Sequence, residues 1–169
     1  GMAVAAKAIK PDIRIVGVQA AGAAAYPPSL EAGAPVRLPH LSTIADGIAV
    51  GCPGDITFAH VSKLVDDVVT VTEEDISRAL LVLLERGKLL AEPAGVVGVA
   101  ALLADVAGEV ETPAVAVLSG GNIDPMLLLR VIEHGLAAAG RYQTFTVRCT
   151  DRPGHLAKLL GEVAAHGAN

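Results

Sequence analysis

The stretch P-A-V-A-V-L-S-G-G-N-I-D-P, residues 113–125, decides how this chain is read. Residues 114–118 are all apolar and lead directly into Ser119, Gly120, Gly121 and Asn122. The apolar run predicts a buried strand, and the small residues behind it predict a sharp exit. Pro125 then opens a helix over residues 125–139. A strand that ends in two glycines has two readings. It is a tight turn needing glycine torsions, or it is a place where backbone amides reach a ligand while the Ser119 hydroxyl offers one hydrogen bond.

Outward from this stretch, helical and extended signals alternate. Residues 1–10 have helical content, stopped by Pro11. Residues 13–19, I-R-I-V-G-V-Q, read as a buried strand. The small-residue segment that follows to Gly33 carries Pro27 and Pro28, which block an assignment. Residues 34–53 read as loop, with a short turn around T-I-A-D-G. A helix is expected over 55–67 and a strand over 68–71. Thr72 caps a helix through Arg86, with Glu73, Glu74 and Asp75 in the first turn, where the helix dipole favours anions. Its apolar residues Ile76, Leu80, Leu83 and Leu84 follow helical spacing. Residues 94–106 are apolar nearly all round and predict a helix buried on most sides. Further on, 145–149 read as a strand and 153–166 as a helix. Strands separated by helices imply an α/β fold, with a mostly parallel open sheet covered on both faces. In such sheets ligands bind at the carboxyl ends of the strands, which is where Ser119-Gly120-Gly121 would lie.

Composition narrows the function classes. The 169 residues are 52% apolar and 18% charged, enough for one ordinary core. The net charge of −5 comes without a basic stripe, so nucleic acid is not an expected partner. Aromatics make up 2% and tryptophan is absent, which leaves little for base stacking. The longest apolar stretch, residues 93–106, is too short to span a bilayer and no membrane role is expected. Cys52 and Cys149 form no CxxC pair, and a reducing cytoplasm is the expected location. The five histidines, at 40, 60, 134, 155 and 166, show no metal-ligand spacing, so no metal site is expected. Cys52 has no obvious base nearby and is assigned no catalytic role. Asp66-Asp67 and Glu73-Glu74 are read as solvated pairs, and Gly95 with Gly98 as a close-packing pair on the buried helix.

V-L-S-G-G-N-I-D at 117–124 resembles a motif of the fold-type II pyridoxal-phosphate enzymes, specifically the threonine and serine dehydratases. Further segments fall in that family's order: I-R-I-V-G-V-Q at 13–19, T-I-A-D-G-I-A-V at 43–50, the run from 53 to 76, E-R-G-K-L-L-A-E-P-A-G-V-V-G-V-A-A-L-L at 85–103, and then L-S-G-G-N-I-D. The resemblance covers nearly everything to about residue 135. It implies a partial tryptophan synthase β-like sheet and pyridoxal 5'-phosphate as cofactor. Ser119 would meet the pyridine nitrogen, with Gly120 beside it. A hydroxyl there leaves the ring nitrogen largely neutral, which suits elimination of a β-hydroxyl. Gly47 resembles the position whose backbone lies beside the ring, and Glu92 the glutamate near the cofactor. Each also has a plain structural reading, as a turn glycine and as a carboxylate at a helix start.

The departures from the family pattern are as informative. These enzymes attach their cofactor to a lysine in an upstream S-F-K-x-R-G-type segment. Lys7, Lys10, Lys63, Lys88 and Lys158 are not in that setting, and the glycine-rich phosphate loop has no counterpart. No catalytic residue is therefore assigned within the chain, and residues 1–124 are read as the C-terminal part of a catalytic domain. One branch, which includes serine racemases, binds a divalent cation through a glutamate and an aspartate. The matching positions are Gln19 and Ala25, which cannot supply two hard anionic ligands.

Residues 125–143 are read as a helix and linker. Residues 144–169 resemble the opening strand and helix of an ACT regulatory domain, cut short. By that resemblance Asp151 and Gly154, in the D-R-P-G turn, would hold an amino-acid effector where backbone amides open a helix. The plain reading is a helix start capped by Asp151 with Pro153 at its first position. Taken together, the resemblance implies a threonine dehydratase that converts L-threonine, or L-serine, in amino-acid metabolism such as isoleucine biosynthesis. It implies a homo-oligomer when full length. The alternatives are a serine dehydratase or racemase, and a non-catalytic amino-acid-binding regulatory protein.

Overall fold

The computed structural model describes residues 1–110 and 113–167. Its sheet has two strands, β1 (Val16–Ala20) and β2 (Asp67–Val71). They pair in parallel, with Val16 opposite Asp67 and Ala20 opposite Val71. Parallel pairing requires a crossover. Here it carries α2 (Tyr26–Ala32) and α3 (Asp55–Leu64). Ahead of β1 lies α1 (Met2–Ile9), which packs on α3. After β2 come α4 (Glu73–Val82), α5 (Val97–Leu103), α6 (Pro125–Ala138) and α7 (His155–Ala165).

α2 falls in the segment that the proline pair obscured. Both prolines lie in its first turn, where backbone N–H groups have no intrahelical acceptor to lose. It stops at Gly33, whose φ of 70° suits glycine. α4 begins as its sequence dictates. Thr72 and Asp75 form a reciprocal capping box, with the Asp75 N–H donating to Thr72 Oγ1 at 3.2 Å and the Thr72 N–H to Asp75 Oδ2 at 2.9 Å. The helix does not run regularly to Arg86. It passes into a π-turn over Leu83–Gly87, and Lys88 follows at φ 54°. α6 is capped by the Asp124 carboxylate, which accepts from the Met126 and Leu127 amides at 2.9 and 3.1 Å.

The core gathers around α4. Ile76, Ala79 and Leu80 are buried with Val71, Val96, Ala100 and Ala101, and Val131 of α6 closes the group. α6 approaches α4 closely because Gly135 has no side chain; a Cβ there would stand 3.1 Å from the Ser77 carbonyl oxygen.

Two expected strands do not form. Residues 114–118 and 145–149 have no ladder partner among the described residues and are mostly exposed, Val115 to 86%. Apolar content alone does not make a strand, since an unpaired strand leaves its N–H and C=O groups to water. α5 is also less enclosed than its composition suggests: Ala100 and Ala101 are buried while Leu102 and Leu103 are exposed. β1 starts at Val16 and is only half-buried before Ala20, because the two-stranded sheet covers just one of its edges. The sheet is thus a smaller part of the fold than the alternating pattern implies.

α1 is held by a polar clamp. Lys7 Nζ donates to the Asp66 carboxylate at 2.9 and 3.1 Å and to the Ile13 carbonyl at 2.7 Å, and Asp66 also accepts the Ile15 N–H at 2.7 Å. The Lys7 hydrogen bond first, and the Ile15 amide second, hold the Asp66 carboxyl below its usual range. A depressed carboxylate pKa contributes stability above the unfolded value and loses it as pH falls through the folded one. Asp66→Asn should therefore lower the thermal midpoint at neutral pH. The gap to wild type should close as pH drops below about 4. A gap that persists unchanged at acid pH would show that the charge contributes nothing; thermal unfolding across that range decides it.

Candidate functional site

The site is built on a strap of chain laid against the carboxyl ends of both strands. Gly22, two residues past β1, accepts the Ser42 N–H at 3.0 Å. Glu73, two residues past β2, accepts the Ile44 N–H on Oε2 at 2.9 Å. Gly22 allows this approach, since a Cβ there would overlap the Ser42 carbonyl. Beyond Ile44, Ala45 is fully buried, with its N–H donated to Thr43 Oγ1 at 3.1 Å. A 3-10 turn over Asp46–Ile48 follows, and Gly47 lies exposed within it.

Gly47 faces the segment that leads into α5. A Cβ on Gly47 would stand 3.1 Å from Ala94 Cβ and 3.5 Å from Glu92 Oε1. Glu92 precedes a short 3-10 turn, Pro93–Gly95, and its side chain caps nothing there. Instead the half-buried carboxylate lies against Gly120, where a Cβ would collide with it. The backbones beneath are clasped together, with the Glu92 N–H donating to the Gly120 carbonyl at 3.3 Å and the Ser119 N–H to the Gly95 carbonyl at 3.4 Å. Gly95 makes the clasp possible, because a Cβ there would overlap the Ser119 carbonyl.

Gly47, Glu92 and Gly120, far apart in sequence, therefore converge, and Ser119 adjoins them. Ser119 sits at the exit of an irregular segment rather than of a strand, and its exposed hydroxyl makes no hydrogen bond among the described residues. The Gly95-Gly98 pair does pack closely, and its neighbour is this same segment: a Cβ on Gly98 would stand 3.5 Å from Ala116 Cβ. Sequence reasoning missed Gly22 and the hold of Glu73 on the strap. The sign of the latter was an acid directly after a strand, read as solvated.

The remaining candidates lie elsewhere. Gln19 Oε1 accepts the Tyr26 N–H at 2.9 Å and so caps the start of α2, whose N-cap residue is the buried Ala25. Lys7 is spent on the Asp66 clamp and Lys88 on the Glu85 carbonyl at 2.7 Å. In the tail, Asp151 does not cap α7. Gly154, at φ 86°, is the N-cap residue, no side chain caps the helix, and both residues are exposed. An aspartate three residues before a left-handed glycine is one turn too early to cap. Thr150 Oγ1 instead lies 2.7 Å from His155 Nδ1.

Gly120 combines a positive φ of 70° with no room for a Cβ beside Glu92. Gly120→Ala should cost about 1–2 kcal/mol from backbone strain alone, and more from the overlap. In a Glu92→Ala background the overlap disappears and only the backbone cost should remain. Denaturant unfolding of the two single variants and the double variant measures this coupling. Strictly additive effects would mean the carboxylate does not rest on Gly120.

Residues 1–120 match the family model described as pyridoxal-phosphate dependent enzyme. The whole chain is 47% identical to an L-threonine ammonia-lyase of Geobacter sulfurreducens and 46% identical to one of Thermotoga maritima. It spans 42% of the length of each of these curated relatives. Among solved structures, threonine deaminase isoform 2 of Solanum lycopersicum superposes with a TM-score of 0.71 at 36% identity, over 78% of this chain and 39% of that one. Maize serine racemase superposes with a TM-score of 0.67 at 37% identity, over 76% of this chain and 42% of that one. The clasp of Glu92 on Gly120 and the strap that carries Gly47 thus fall inside the matched region, and the chain belongs to the pyridoxal-phosphate dependent enzyme family.

Proposed function

We propose that residues 1–124 are the C-terminal part of the catalytic domain of a threonine ammonia-lyase, forming one side of its pyridoxal-phosphate cradle. The observation that carries this reading is the convergence of Gly47, Glu92 and Gly120 beside the free hydroxyl of Ser119. The missing Cβ atoms of Gly47 and Gly120 let the Glu92 carboxylate sit between the strap and the Ser119 turn. Both glycines keep exposed backbone there, and an uncommitted hydroxyl suits a ring nitrogen. The residues present therefore fit the cofactor.

Bound there, pyridoxal phosphate supplies the electron-accepting ring that lets L-threonine lose its α-proton and β-hydroxyl on the way to 2-oxobutanoate and ammonia. This chain orients the ring. Ser119 offers a neutral hydrogen bond to the ring nitrogen without adding charge. Gly47 and Gly120 make room for the Glu92 carboxylate, which fixes the spacing between the strap and the Ser119 turn. The lysine that carries the cofactor and moves the α-proton is assigned to a part of the longer enzyme outside residues 1–169.

Similarity along the whole chain to two L-threonine ammonia-lyases favours threonine over serine. The likeness to maize serine racemase keeps a serine dehydratase or racemase as the second reading. Gln19, engaged in capping α2, supports the dehydratase side of that choice. In the same reading, residues 125–143 are a linker helix and 144–169 the start of an ACT unit. Asp151 and Gly154 there contribute to an amino-acid effector site, near a hollow lined by Arg148, His155, Lys158 and Glu162. The enzyme acts as a cytoplasmic homo-oligomer. No helix among the described residues is long and apolar enough to cross a membrane.

Residues 1–169 alone, given pyridoxal phosphate and threonine, should form no 2-oxobutanoate. Saturable turnover would place the essential lysine within the chain. In the full-length enzyme, Ser119→Ala should weaken cofactor retention by about 0.5–1.5 kcal/mol, the worth of one neutral hydrogen bond. Ser119→Asp sets an opposite charge against the ring nitrogen and keeps it protonated. The ratio of α-proton exchange in deuterated water to 2-oxobutanoate formed should then rise. An unchanged ratio and unchanged cofactor absorbance would remove Ser119 from the ring.

A further inference from the structure

Glu73 stands outside the residues that frame the ring, yet its carboxylate reaches the strap from a distant part of the sequence. A first-turn acid that served only the helix dipole would leave both oxygens in water. Glu73 instead accepts the Ile44 N–H on Oε2 at 2.9 Å, and Oε1 is buried with no hydrogen-bond partner among the described residues. Burying a carboxylate oxygen unpaired works against stability. α4 does not need it, because Thr72 and Asp75 already cap that helix start.

We propose that Glu73 is a positioning residue for the cofactor: by pinning Ile44 it sets where the strap presents Gly47. The inference rests on reading the Gly47, Glu92 and Gly120 cluster as a pyridoxal-phosphate cradle. The path is short. Ile44 is pinned and Ala45 is buried. The Ile48 N–H then closes on the Ala45 carbonyl at 3.1 Å, with Gly47 inside the turn and against Ala94. Loss of the pin releases Ile44 between two remaining anchors, the Ser42 N–H on the Gly22 carbonyl and the buried Ala45. The effect is therefore on placement, not on folding.

The test uses the full-length, cofactor-loaded enzyme with Glu73→Ala and Glu73→Gln. Glutamine keeps an acceptor for Ile44, so the two variants should separate. Glu73→Ala should raise the dissociation constant for pyridoxal phosphate about tenfold, the cost of binding to a strap whose position is no longer fixed. It should also speed hydrogen exchange at the Ile44 amide while leaving the Ile76 amide, inside α4, unchanged. Glu73→Gln should return both values close to wild type.

Unchanged cofactor affinity in Glu73→Ala, despite faster Ile44 exchange, would overturn the proposal. So would a Glu73→Ala protein that fails to fold or exchanges Ile76 in step, since that assigns Glu73 to α4 stability. Glu73→Gln as damaging as Glu73→Ala would show that charge, not the Ile44 bond, matters. Failure of the underlying site reading looks different: Ser119→Ala and Ser119→Asp would then leave cofactor affinity and absorbance unchanged, which overturns both.

Discussion

The arrangement depends on one close approach, the clasp between residues 92–95 and 119–120. Its two backbone hydrogen bonds are long, and a Cβ on either Gly95 or Gly120 would push the segments apart. Glycine is entropically costly to order. Its placement at both contact points is explained by what the clasp brings together: Ser119 on one side, the Glu92 carboxylate on the other, and through Ala94 the strap carrying Gly47. Without the clasp the irregular segment 113–124 would have little to hold it, since it has no ladder partner among the described residues.

α4 supports this assembly from two directions. Its core face packs on α5 and α6, and its first turn reaches the strap through Glu73. Its far end leaves through the π-turn, where the Leu89 N–H returns to the Leu83 carbonyl at 3.1 Å and the chain heads for Glu92. Arg141, just past α6, donates to both oxygens of Glu85 in that turn, at 2.7 and 2.9 Å. The pair is exposed and adds little energy by itself, but it links the end of α6 to the connection that carries Glu92. π-turns are irregularities often found beside functional sites.

Helix starts were legible in the sequence because their determinants are local. The Thr72 capping box and Pro125 at the first position of α6 both act within one turn. Strands were less legible. V-V-T-V at 68–71 pairs with β1, whereas A-V-A-V-L at 114–118 has the same character and pairs with nothing described. Pairing is a property of the neighbour, so it cannot be read from the segment alone. At the site, Ser119, Gly120, Gly47 and Glu92 came from resemblance and not from spacing. Their convergence is a matter of glycine contacts across 73 positions of sequence, from 47 to 120, which no local pattern encodes. Glu73 was misread for a related reason: an acid after a strand looks solvated until its acceptor role towards Ile44 is seen.

The charge balance at the cluster bears on why position 119 carries a neutral hydroxyl. Glu92 already lies against Gly120, immediately next in sequence, and Glu73 holds the strap behind Gly47. In the proposed reading the cofactor would bring a phosphate of its own. A carboxylate at position 119 would add an acid one residue from Gly120, against which Glu92 already lies, and a like charge nearby disfavours ionisation. A neutral hydroxyl avoids that conflict and still donates or accepts one hydrogen bond. Glu92 can then stay in its role as a spacer between two glycines. The close packing of Glu92 on Gly120 thus leaves the neighbouring position better suited to a neutral residue than to a second acid.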